Sequence, residues 1–166
     1  METTATKDGR SSSYLVLFDW QTDFFIRALE GISDTDAQNR MNTKANHVAW
    51  LAGSLVQQRY ELANDLTGES HKQQSGELFE HNKGIQEGVG YPSLEQFKAD
   101  WKKITPIARE ALINADAAKL DSKIVMPGME MTRFEFISFV IYREANCIGQ
   151  IALWRRLLGY DAMKYM

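Results

Sequence analysis

Apolar residues recur at intervals of three and four along four separate stretches of the chain, the mark of helices with one buried face. The first covers residues 13–30, where Leu15, Phe18, Thr22, Phe25, Ile26 and Leu29 share a face and Gly31 supplies a left-handed stop. The second covers residues 42–66, with His47, Leu51, Leu55, Gln58 and Leu62 on one stripe. The third begins at PSLEQF, where Ser93 and Gln96 have capping-box spacing. Its core face is Leu94, Phe97, Trp101, Ile104, Ala108, Ala111 and Leu112, and Pro106 inside it predicts a kink because the amide bond to Lys102 is lost. The fourth starts at TRFE, a second capping box between Thr132 and Glu135, and ends at Gly159.

The segments between the helices set the topology. KIVMP is short, is bounded by Pro127 and reads as loop, so the pattern contains no strand. Residues 67–93 form a polar, glycine-rich link of about 27 residues, long against the ~2–8 residues usual between packed helices. A helix of about 25 residues is close to 40 Å long, so this link can run back along its neighbour and leave helices two and three parallel. The other links are short and suit antiparallel neighbours. The expectation is all-α, a four-helix bundle in the order up, down, down, up, with the fourth helix most buried. Residues 13–166 form a single domain and residues 1–12 a flexible start.

Composition narrows the setting. The 166 residues suit one core, and 44% hydrophobic with 25% charged residues is ordinary for a soluble domain. A formal charge of -3 with no basic stripe argues against nucleic acid. No run approaches the ~20 apolar residues of a membrane span, and the polar start lacks a secretion signal. Cys147 is the single cysteine, so no disulfide forms within the chain, and a reducing cytoplasm is the expected location.

Two local motifs carry a family resemblance. EANCIGQIALWRRLLG in the fourth helix and NHVAWLAG in the second resemble the corresponding segments of the DinB/YfiT-like superfamily of four-helix bundles. The resemblance spans nearly the whole chain. In that family one histidine from the second helix and two from the last, four residues apart, commonly hold a divalent metal. An open coordination position then activates water or a thiol, and some members are thiol-dependent transferases or hydrolases. Carried over, His47 matches the second-helix histidine, Arg143 and Cys147 stand at the final-helix pair, and Gly149 and Gln150 match the run that follows. An arginine cannot ligate a metal, so the three-histidine site is broken and no cofactor is expected. If a metal such as zinc or nickel were held, His47 and Cys147 would be its ligands here.

Each of these residues also has a plainer role. His47 on an apolar stripe can be a satisfied core histidine, Cys147 a small buried hydrophobe, and Arg143 an edge residue whose head reaches water. If Arg143 instead stands where the metal would be, a buried guanidinium needs a partner, and Asp19, Asp23 and Glu144 are the candidates. Gly149 allows close helix approach, and Gln150 can anchor a loop. His47, Arg143, Cys147, Gln150 and Asp19 thus outline an expected pocket for a small anionic ligand, with a metal-dependent transferase or hydrolase as the alternative. Phe139, Tyr142, Leu153, Trp154 and Leu157 fall partly outside the apolar stripe of the last helix. Their exposure predicts a homodimer, unless the tail after Gly159 folds over them.

Overall fold

The structure, a computed structural model, describes residues 5–166. Most of these residues are helical, in α1 (Arg10–Leu29), α2 (Asp34–Ala37), α3 (Val48–Thr67), α4 (Leu94–Asn114), α5 (Ala117–Asp121) and α6 (Arg133–Leu157). A two-stranded antiparallel hairpin, β1 (Lys123–Met126) and β2 (Met129–Thr132), precedes α6. Among the described residues no helix is long and apolar enough to cross a membrane.

The four long helices, α1, α3, α4 and α6, share one core, and each packs against two others. Their directions follow from which residues meet. Tyr14 meets Ser138 near the start of α1 and α6, and the Arg155 guanidinium donates to the Ala28 carbonyl at 3.1 Å near their ends, so these two run together. Along α3 and α6 the order reverses. Trp154 Nε1 donates to the Asn46 carbonyl at 2.9 Å, whereas Arg133 pairs with Asp65 at 2.8 Å. On α1 and α4, Asp19 meets Arg109, and Trp101 Nε1 donates to the Thr22 carbonyl at 3.1 Å, again in opposite senses. Thus α1 and α6 point one way, α3 and α4 the other.

Both predicted helix starts are capped. Thr132 Oγ1 accepts from the Glu135 amide at 3.2 Å, and Glu135 Oε2 accepts from the Thr132 amide at 2.7 Å, a complete capping box. At α4 the Ser93 hydroxyl accepts from the Gln96 amide at 3.2 Å, but the Gln96 side chain turns away to donate to Ser75. Helix α4 continues through Pro106 as a single element.

Four expectations need correction. KIVMP is strand, because Pro127–Gly128, with Gly128 at φ 78°, forms the tight turn that folds β1 onto β2. Helix α3 starts at Val48, six residues after residue 42, because Met41 and Asn42 take left-handed backbone (φ 48° and 58°) that ends any helix there. The most buried helix is α3, with twelve of twenty residues buried against nine of twenty-five in α6. The cause is the long connection, which packs on the outer side of α3 instead of crossing solvent. The Phe79 ring lies directly on Gly53, and Gln73 Nε2 donates to the Gly53 carbonyl at 3.2 Å. Helix α1 also starts earlier than expected, three residues before residue 13. The Lys7 amide donates to the Ile113 carbonyl at 3.0 Å, and α1 begins at Arg10. The part of the flexible start that falls on residues 1–4 lies outside the described residues.

Candidate functional site

A charged pair sits at the centre of the helices. Arg59 on α3 and Glu144 on α6 have no exposed side-chain surface and meet in a two-pronged contact, Nε to Oε1 at 2.9 Å and Nη2 to Oε2 at 2.6 Å. Arg59 Nη1 donates to the hydroxyls of Thr22 on α1 and Thr105 on α4, at 2.8 and 3.0 Å. Its guanidinium carbon lies 3.4 Å from the Trp101 ring centroid and 4.0 Å from that of Phe18, so aromatic faces cover both sides of the cation. Burial pushes the guanidinium below the usual arginine range, and the Glu144 carboxylate opposes that shift. Every long helix contributes to this knot, in which all three guanidinium nitrogens are bonded and neither charged side chain reaches solvent. The sequence carried a signal for it, since Arg59 and Glu144 each fall at helical spacing among buried apolar neighbours, three or four residues from Leu55, Leu62, Val140 and Cys147.

Arg143, next to Glu144 in sequence, does not share that carboxylate. It is half-buried and reaches α3, donating to Gln58 Oε1 at 3.0 Å and to the Ser54 hydroxyl at 2.6 Å. The acids considered as its partners are engaged elsewhere: Asp19 with Arg109 at 2.8 Å, Asp23 with Arg27 at 2.6 Å, and Glu144 with Arg59. Among the described residues no carboxylate forms an ion pair with Arg143. Beside it lies a pocket of about 220 Å³ between α3, α6 and the long connection. Trp50, Phe79 and Phe139 give it aromatic walls, and Arg143, Lys83 and Glu61 line it with charge.

The other expected site residues lie apart from this pocket. His47 is the N-cap of α3, its Nδ1 accepting from the Trp50 amide at 3.0 Å, and its ring meets the Tyr91 ring edge-on at 4.8 Å. A nitrogen that accepts from an amide carries no proton, so the neutral ring has its hydrogen on Nε2. Burial pulls the His47 pKa below the usual histidine value, which favours that form. Gln58, the partner of Arg143, lies about 16 Å further along α3 at 1.5 Å per residue, so His47 and Arg143 do not meet. Cys147 is buried and free one turn after Arg143, and burial raises its thiol pKa although Arg143 acts to lower it. Gln150 is exposed and donates to Asn146 Oδ1 on its own helix at 2.7 Å, so it anchors no loop. Asp19 lies across the structure on the α1–α4 side. Of the five, only Arg143 lines this pocket, with Cys147 one turn after it on α6. Ser54, Gln58 and Trp50 complete the Arg143 pocket and were not singled out from the sequence as ligand residues. Among the described residues no three histidine, cysteine, aspartate or glutamate side chains gather in a metal-binding group.

No family model matches the chain, and no curated protein matches it either.

Proposed function

We propose that this chain is a DinB/YfiT-like four-helix bundle that binds a small organic anion in the pocket between α3 and α6, without the three-histidine metal centre. The observation that carries this reading is Arg143, a half-buried cation at a pocket that is held only by neutral acceptors. A guanidinium in that state keeps its full charge for an incoming carboxylate or phosphate, which it can meet through two parallel N–H bonds. Trp50 and Phe139 provide flat apolar faces for the rest of the ligand. The resemblance of EANCIGQIALWRRLLG and NHVAWLAG to the family's segments, and two helices running each way, support the bundle assignment. A single buried, free cysteine agrees with a reducing cytoplasm.

The metal-dependent transferase or hydrolase gains no geometric support. His47 spends its Nδ1 as a helix cap, well away from the Arg143 end of the site. Metal analysis of the purified protein separates the two readings, and stoichiometric zinc or nickel would decide for the enzyme. We also propose that the chain pairs as a homodimer through the outer face of α6. Phe139, Tyr142, Leu153 and Leu157 are each more than half exposed there. The tail does not shield them, because Tyr160 binds Asp36 and the Tyr165 ring packs on Phe24 of α1. Trp154 does not belong to this face, being buried with its Nε1 on the Asn46 carbonyl.

The pocket is tested by titrating benzoate against benzamide and following tryptophan fluorescence. Benzoate should bind better than its uncharged analogue. Arg143→Met should weaken benzoate by roughly 10–100-fold, the value of one charge-assisted hydrogen bond of about 1.5–3 kcal/mol. Equal binding of the two ligands, or an unchanged affinity in the variant, would refute the anion reading.

A further inference from the structure

The outer face of α6 has an internal symmetry, and it points to the way two copies meet. Along this face the exposed residues are Phe139, Tyr142, Asn146, Gly149, Leu153 and Leu157, at the three-and-four spacing of a helix that packs on another helix. The sequence of chemistries is close to palindromic about the level of residues 147–148, with apolar side chains at both ends and an amide and a glycine at the centre. We infer that two chains pair through α6 in antiparallel fashion, with the two-fold axis at that level. Tyr142 then stands opposite Leu153 of the second copy, Phe139 opposite Leu157, and Asn146 opposite Gly149 and Gln150. This arrangement rests on the homodimer reading above and specifies it.

Gly149 is the independent observation. A glycine in the middle of a helix lowers its stability, so its presence calls for a reason. None lies within the chain, because a Cβ built there meets no atom within 4 Å. The neighbouring helix of the same chain, α1, is separated from it by a hollow. A second backbone crossing at this point does supply the reason, since only a missing side chain lets two helices come close beside Asn146. Next to Gly149 is an apolar hollow of about 230 Å³, walled by Leu17, Trp20, Phe24 and Ile148 and, on the tail side, by Met163 and Tyr165. It can take a side chain from the facing helix as a knob enters a hole. Leu17 and Trp20 of α1 are themselves exposed and widen the face beyond α6. From Phe139 to Leu157 the face is about 27 Å long at 1.5 Å per residue. A strip of that length and two helices wide is on the scale of the ~800 Å² that each partner buries in an ordinary dimer.

The charges agree with antiparallel pairing. Exposed Arg156 lies at the end of α6 and exposed Glu135 in its first turn, while Arg155 is buried on carbonyls of its own chain and Arg133 is paired with Asp65. A parallel pairing would bring like ends together, whereas the antiparallel one places the basic end of each helix toward the acidic start of the other.

Cysteine cross-linking distinguishes the arrangements. Tyr142→Cys and Leu153→Cys are made separately, and each is oxidised alone and then as a mixture. The native Cys147 is buried, and wild-type chain serves as the control. In the antiparallel pair, residue 142 lies about 16 Å along the axis from its own copy, so neither variant should link to itself. The mixture should give a covalent dimer of the two variants. Self-linking of either variant would show a parallel pairing and overturn the inference. No link in any sample, with light scattering still at twice the 19.0 kDa chain mass, would move the interface to another face and leave the homodimer reading standing. A mass near 19.0 kDa for the wild-type chain would reject both.

Discussion

Replacing Glu144 by leucine leaves the Arg59 guanidinium buried among Phe18, Trp101 and two threonine hydroxyls with no counter-charge. Two short charge-assisted bonds, at 2.9 and 2.6 Å, disappear together. Loss of one partner from a buried pair costs about 3–5 kcal/mol, most of it the price of the stranded charge. For a chain of this size each kcal/mol moves the melting temperature by about 2–4 °C, so Glu144→Leu should lower it by about 6–20 °C. The double variant Arg59→Met/Glu144→Leu should recover much of that loss. Removing both charges also removes their desolvation, and such exchanges are often neutral or stabilising. The threonines are not left stranded either, because Thr22 Oγ1 donates to the Phe18 carbonyl at 2.8 Å and Thr105 Oγ1 to the Trp101 carbonyl at 2.7 Å. Urea denaturation of the wild type, the two single variants and the double variant completes the cycle. A loss below about 1 kcal/mol for Glu144→Leu, the range of an exposed pair, would refute the buried-knot reasoning. So would a double variant whose loss equals the sum of the two singles.

Two further predictions concern α3. The His47 cap depends on a neutral ring, and burial holds the folded pKa below the unfolded value, so its stabilisation is complete above that value and is lost as the pH falls through the lower, folded one. A cap is worth about 0.5–2 kcal/mol, and His47→Ser, which caps without titrating, should be less acid-sensitive than the wild type in urea melts at pH 7.5 and 5; identical slopes would contradict this. At Gly53 a Cβ would stand 2.1 Å from the Phe79 ring, so Gly53→Ala should destabilise by about 1–3 kcal/mol from overpacking, less the ~1 kcal/mol that alanine gains in a helix. In a Phe79→Ala background the same change should become stabilising, and a thermal melt that shows no reversal of sign would count against the contact.

The sequence by itself determined the four long helices and most of their ends. Helical periodicity, the Thr132–Glu135 box, the Ser93 cap and the Gly31 and Gly159 stops are local signals, readable within one or two turns of chain. The hairpin was lost because Val125 and Met126 stay exposed, so β1 has no buried alternation to reveal it. Burial of α3 was equally hidden, since it comes from a connection without periodicity whose Phe79 finds Gly53 only after the chain has folded. The site shows the same division. Sequence could place Arg143, His47 and Cys147 on helices, but which of them meet depends on how α3 and α6 slide past one another. That register is set by contacts far apart in the chain, Trp154 on Asn46 at one end and Arg133 on Asp65 at the other. It puts Arg143 beside Ser54 and Gln58, leaves His47 at the helix start, and gives Glu144 to Arg59, a residue no local pattern could pair with it. Periodicity fixes which face a residue occupies. Only the packed helices decide what stands opposite it.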